Sequence, residues 1–166
     1  VVVSLLFWWK INCENHVWPF RYFESLDSDA ERIRFLIQGW PENPPKGFPC
    51  NVPFPDIGKR FLEFYPWLSD KNSLVLRFED LVTDKKSRVN SLKRIIQYIM
   101  PNIDEELIPE YIELMEKGAN PDHSKTFRKG KTRQWPQYFS SEHNNIFKSK
   151  AGKLLVDLGY ENNEDW

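Results

Sequence analysis

The sequence predicts a helix-rich α/β domain with at least one buried strand. Three long stretches, residues 85–99, 104–117 and 140–158, repeat apolar residues at helical spacing. One short apolar run, residues 73–78, has the length and composition of a strand buried in a parallel sheet. A length of 166 residues suffices for one domain with a real core, residues 1–166. The 12 Phe, 7 Trp and 6 Tyr point to a bulky core and an apolar pocket, since each ring brings large buried area.

The opening run, Val1 to Trp9, is a buried strand or a buried helix; periodicity does not separate the two. It has no basic lead-in and no small-residue cleavage site, so it does not read as a signal peptide. Lys10 ends it far short of a membrane span. An apolar element that starts so abruptly is expected to be the middle of a core element, in a chain cut from something longer. Residues 12–28 read as irregular and polar, broken at Trp18-Pro19. Residues 29–38 read as a helix closed by Gly39 and Pro41. Six prolines between Pro41 and Pro55 predict an extended, packed loop, with a Pro-rich ligand segment as the alternative.

Residues 56–68 place Ile57, Phe61, Phe64 and Leu68 at helical spacing, with Pro66 expected to kink or end the helix. Glu79-Asp80 follow the predicted strand directly. Adjacent side chains leaving a strand point to opposite faces, so this pair is expected to cap a turn or orient basic groups. In 85–99, Val89, Leu92, Ile96 and Ile99 share a face, and Pro101 ends the helix. In 104–117, Leu107, Ile108, Tyr111 and Met115 point inward, with Gly118 as C-terminal cap. The last helix has Ser140 as its cap and Glu142 at the positive end of the dipole. Its buried stripe is Ile146, Phe147, Ala151, Leu154, Leu155 and Leu158, and Gly159 is its left-handed stop.

A net charge of −1 argues against a whole-surface nucleic-acid binder, and no nucleic-acid partner is expected. Cys13 and Cys50 form no Cys-x-x-Cys pair and read as reduced thiols, which predicts a cytoplasmic protein. Residues 119–139 look like neither helix nor strand. Five of the nine residues from Lys125 to Arg133 are basic, in a chain that is otherwise slightly acidic. Such a segment suits a dianion: Arg offers a planar fork, Lys a point charge, and Gly lets backbone N–H groups approach. A solvated basic loop and a nucleic-acid patch are the alternatives.

Ser124-Lys125-Thr126-Phe127-Arg128-Lys129-Gly130-Lys131, then Trp135, Tyr138-Phe139-Ser140 and the ending Leu154 to Glu161, resemble the tail of the sulfotransferase family. That family transfers a sulfuryl group from 3′-phosphoadenosine 5′-phosphosulfate (PAPS) to a hydroxyl or amine. Its late nucleotide motif is Arg-Lys-Gly, then Gly-Asp-Trp or Gly-Ser-Trp, then a Phe-Ser/Thr helix start. Leu76-Arg77-Phe78-Glu79-Asp80-Leu81 resembles the family's strand ending in Tyr/Phe-Glu-Asp-Leu. The likeness runs from Val1 to Trp166, although residues 10–55 match nothing in the family's pattern. The triplet alone is short; the specificity lies in the ordered set.

The resemblance implies a three-layer α/β/α fold of the P-loop nucleotide-kinase type with a parallel sheet, of which this chain supplies a helix-rich C-terminal part. Val1-Val2-Val3-Ser4 is similar to the end of the family's Arg-Asp-Pro-Arg/Lys-Asp-x-x-x-Ser motif, which gives Ser4 to the donor's 3′-phosphate. The alternative for Ser4 is a small hydroxyl bonded to backbone in a core helix. Arg128, Lys129 and the Gly130 backbone carry over to the same phosphate. Phe127 and Phe78 stand where family members line the adenine pocket, or else pack in the core.

Two departures stand out. The family's Gly-Asp/Ser before the Trp is Arg133-Gln134 here, and Arg does not take glycine's positive-φ conformations cheaply. No phosphate-cradling loop with Lys and Ser/Thr opening a helix occurs in the sequence. His16, His123 and His143 lie outside any base motif and read as surface or loop histidines, so no catalytic residue is assigned. The expectation is a sulfotransferase part that holds the 3′-phosphate and adenine side of PAPS, without metal, and does not turn over alone. Residues 10–55 are expected to shape the pocket for a small-molecule, lipid or glycan acceptor. The alternative is a non-catalytic protein-interaction module on the same scaffold.

Overall fold

In the computed structural model the described residues are 1–12, 18–41, 46–47, 53–119, 130–163 and 165–166. They divide into two compact units, residues 1–66 with 134–166, and residues 67–133.

The first unit holds α1 (Val2–Asn12), α2 (Trp18–Ser25), α3 (Asp29–Gln38), α4 (Ile57–Leu62) and α8 (Ser141–Asp157). The opening run is a helix: Val2, Val3 and Leu6 are buried while Ser4 and Trp8 face water, a spacing no strand produces. Residues 18–25 are helical too, which corrects the irregular reading of 12–28. Pro19 sits in the first turn of α2, where its missing N–H has no helical partner to lose. Proline there marks a start, and Phe20 and Phe23 are buried behind it.

Helix α3 keeps its expected bounds. Ser28 and Glu31 cap it reciprocally: the Ser28 hydroxyl accepts from the Glu31 N–H at 3.2 Å, and Glu31 accepts from the Ser28 N–H at 3.0 Å. Gly39 closes it at φ 75°, and its close approach to Phe54 and Pro55 leaves no room for a side chain. The Trp40 N–H donates to Phe54 O at 2.9 Å, so the described end of the proline-rich loop packs back onto α3. Phe54 also meets the Trp9 and Phe35 rings, and Trp9 stands edge-on to Phe23 at 5.2 Å. The aromatic count is thus spent on a ring-filled core around Leu6, Ile33, Leu36 and Ile37.

The second unit contains α5 (Phe78–Val82), α6 (Lys85–Ile99) and α7 (Ile108–Gly118). Asp84 caps α6 by accepting from the Ser87 N–H at 2.9 Å, and Leu92 and Ile96 form its buried stripe. Ile99, expected on that stripe, is exposed, as are Leu107 and Tyr111, which were expected inward; Ile108 is buried. The 104–117 stretch is split, with a 3₁₀ turn at Glu105–Leu107 ahead of α7. Gly118 ends the helix rather than capping it. Residues 56–68 divide likewise into α4, capped by Asp56, and a 3₁₀ turn at Tyr65–Leu68 that accommodates Pro66. Phe64 and Leu68 consequently face water.

The expected three-layer α/β/α fold with a parallel sheet is overturned, because the described residues are helical and contain no strand. Residues 73–77 show why. Arg77 has extended dihedrals, yet the segment meets side chains of α6 instead of a neighbouring strand. Val75 O accepts from Arg94 Nη2 at 3.1 Å, and Asn72 O accepts from the Tyr98 hydroxyl. A strand needs a ladder partner for its backbone groups, and here α6 supplies part of that bonding. Phe78, Glu79 and Asp80 then open α5, so the two acids lie in a first helical turn rather than leaving a strand.

Candidate functional site

The residues expected to hold the donor fall in different places. Ser4 is in the first turn of α1 and exposed, so its hydroxyl is open to solvent rather than enclosed in the core. Phe78 is the first residue of α5 and 52% exposed, which removes it from the core of the second unit. Gly130 is half-buried at φ 56°. Phe127, Arg128 and Lys129 lie outside the described residues, as do His16, His123, Cys13 and Cys50. No hydrogen bond or ring contact joins Phe78 to Gly130.

Three residues after Gly130, Arg133 adopts φ 53° and is exposed. Among the described residues it is the one non-glycine residue with positive φ. An L-residue in the left-handed region loses roughly 1–2 kcal/mol to the clash of its Cβ with the following carbonyl. Such a conformation persists only where the surroundings impose it.

Beyond this bend, Trp135–Gln137 make a 3₁₀ turn, and the Tyr138 and Phe139 N–H groups both donate to Trp135 O, at 3.0 and 2.9 Å. The Trp135 ring stands edge-on to Phe139 at 5.9 Å and to Trp166 at 6.0 Å. Trp166 in turn meets Phe147, and the Lys148 ammonium lies 5.0 Å from its ring. The Trp thus anchors the start of α8.

Helix α8 begins with a capping box that sequence reasoning missed. Ser140 Oγ accepts from the His143 N–H at 3.3 Å, and the Ser140 N–H donates to His143 Nδ1 at 3.1 Å. His143 Nε2 lies 2.9 Å from Ala30 O. With Nδ1 accepting, Nε2 must carry the proton, so neutral His143 satisfies both partners as one tautomer. The residue is 2% exposed, which corrects its reading as a surface or loop histidine. The signal was present: His143 stands three residues after Ser140, where Glu or Gln completes a capping box. Its role is structural, joining α8 to α3.

Arg60 was also missed. Its guanidinium lies 4.3 Å from the Phe54 ring and donates to Leu36 O, one of the open carbonyls at the C-terminus of α3. Burial lowers its pKa below the ordinary arginine value, opposed by Asp56 and Glu63. No pattern around residue 60 announces this, because the partner carbonyl is 24 residues away.

Among the described residues no group of three or more His, Cys, Asp and Glu is arranged to hold a metal ion, and no helix is long and apolar enough to cross a membrane. No protein-family model matches the chain, and no curated protein or solved structure matches it.

Proposed function

We propose that this chain supplies the 3′-phosphate and adenine side of the donor site of a PAPS-dependent sulfotransferase. The observation that carries the reading is the left-handed backbone of Arg133. The sulfotransferase motif that the sequence resembles has glycine at this position, two residues before its Trp, and glycine takes φ above zero at little cost. Here the sequence departs from glycine, yet the Arg133 backbone takes a conformation that favours glycine, at φ 53°. A bend held at a cost of roughly 1–2 kcal/mol is imposed by its surroundings, and this supports a loop shaped for a ligand.

Three other features agree with the motif order. Gly130 is left-handed at φ 56°, Trp135 anchors the turn that follows, and Ser140 caps the last helix. The reading rests on these local features and not on a parallel sheet. In it, Arg128 forks two oxygens of the 3′-phosphate, Lys129 adds charge and Gly130 offers its N–H. Phe78 and Phe127 flank the adenine. Sulfuryl transfer needs charge neutralised on the moving group and the leaving oxygen. The sequence holds no phosphate loop to do that, so this chain binds donor product without turning over, and a metal takes no part.

Calorimetric titration with adenosine 3′,5′-bisphosphate tests the assignment. Arg128→Ala is expected to lose about 1.5–3 kcal/mol of binding, the worth of hydrogen bonds to a charged group. Equal affinity of variant and parent rejects it.

A further inference from the structure

Helix α7 carries an apolar stripe that faces solvent. Leu107 at its N-cap, Tyr111 and Leu114 are 45%, 38% and 55% exposed, and their spacing aligns them along one face. The side of α7 that packs on α6 is a different one. It carries buried Ile108, half-buried Met115 and Glu116, whose carboxylate meets Arg88 at 2.9 Å. At about 100° per residue, Glu110 and Glu113 fall together on the other flank of the exposed stripe, and Glu106 precedes them in the 3₁₀ turn. Glu113 is tied to Lys117 at 2.6 Å, whereas Glu106 and Glu110 form no ion pair among the described residues.

We propose that this face docks a basic amphipathic helix of a partner protein. Anchors one and two turns apart are what a helix laid alongside another reads, and an apolar stripe on the partner would cover Leu107, Tyr111 and Leu114. The acidic flank selects the charge of that partner. Lysines or arginines beside its apolar stripe would pair with Glu106 and Glu110, which form no ion pair among the described residues. The same flank disfavours the two other occupants of an exposed apolar stripe. An anionic bilayer is repelled by it, and a second copy meeting like face to like face sets acid against acid.

The test uses the full chain and two synthetic helical peptides with identical leucine stripes, one flanked by lysines and one by glutamates, titrated by fluorescence anisotropy at low salt. The lysine peptide is expected to bind at least about tenfold more tightly. Leu114→Asp should weaken it about tenfold or more, and joint Glu106→Lys and Glu110→Lys should reverse the preference between peptides. These positions are exposed, so an unchanged melting temperature will show that each variant is folded. Absence of binding, equal binding of both peptides, or a preference that survives the charge swap overturns the proposal. So does a dimer seen by sedimentation, or binding to phosphatidylserine vesicles, that Leu114→Asp abolishes. None of these readouts involves a nucleotide, so the donor-site reading and this one can fail separately.

Discussion

A Cβ placed on Gly58 would lie 2.1 Å from the carbonyl oxygen of Lys150, so α4 and α8 touch backbone to backbone at that point. Ala151 and Gly152, both buried, keep the α8 side of the crossing equally flat. The contact involves main-chain atoms, which cannot swing aside as a flexible side chain would.

Gly58→Ala should therefore force the helices apart and cost about 1–3 kcal/mol, as overpacked sites do. Gly118 is the matched control, since a Cβ there meets nothing within 4 Å and the residue is helical. Gly118→Ala is expected to stabilise by about 0.4–1 kcal/mol. Urea denaturation of the two variants should move the midpoint in opposite directions.

His143→Ala leaves the Ala30 carbonyl and the Ser140 N–H without their side-chain partner inside the first unit. The expected loss is about 1–3 kcal/mol, read from chemical denaturation. His143→Gln should lose less, because a glutamine three residues after Ser140 can still accept from its N–H. Equal losses would mean that the bond to Ala30 dominates.

Arg133→Gly removes a left-handed L-residue, relieving roughly 1–2 kcal/mol. Glycine's greater freedom in the unfolded chain returns roughly 0.5–1 kcal/mol of that. A net stabilisation of about 0.5–1 kcal/mol is expected, visible as a raised melting temperature. A drop would show that the Arg133 side chain makes contacts worth more than its backbone strain.

Acid should weaken the fold through three carboxylates. The Lys10 ammonium, 2.6 Å away, does most to hold Asp29 below its ordinary value of 3.8; burial opposes it and Arg32 assists. Asp84 is lowered from 3.8 chiefly by the Ser87 N–H, and Glu105 from 4.5 chiefly by Lys93. With folded values depressed, the unfolded chain takes up protons first, so stability rises with pH across this window. The contribution is complete above the ordinary values and is lost as pH falls through the lower folded ones. Asp29→Asn should flatten the slope of stability against pH below about 4. An unchanged slope would remove the Lys10–Asp29 pair from the account.

Several helix ends were legible in the sequence, because caps are local chemistry. Gly159 sits at φ 69°, with Tyr160 N–H donating to Leu155 O at 2.8 Å and Gly159 N–H to Val156 O at 2.9 Å, the paired bonds of a Schellman stop. Strand against extended coil was not legible. Residues 73–77 have strand composition, but a strand is defined by its neighbour, and here Arg94 of α6 bonds to Val75 and Tyr98 to Asn72 just before the segment. The exposure of Ile99, Leu107 and Tyr111 was equally hidden, since periodicity marks an apolar stripe without saying what covers it. At the candidate site, Arg133-Gln134 in place of the family's Gly-Asp/Ser argued against a glycine-like bend before Trp135. That Arg133 would take glycine's conformation there depends on the surrounding loop, and no residue type encodes it.

A 3′-phosphate half-site is tested by thermal-shift titration with adenosine 3′,5′-bisphosphate against 5′-AMP. A ligand that binds the native state alone raises the melting temperature by mass action. A rise with the bisphosphate that AMP does not reproduce is expected. No rise with either nucleotide, or an equal rise with both, would contradict it.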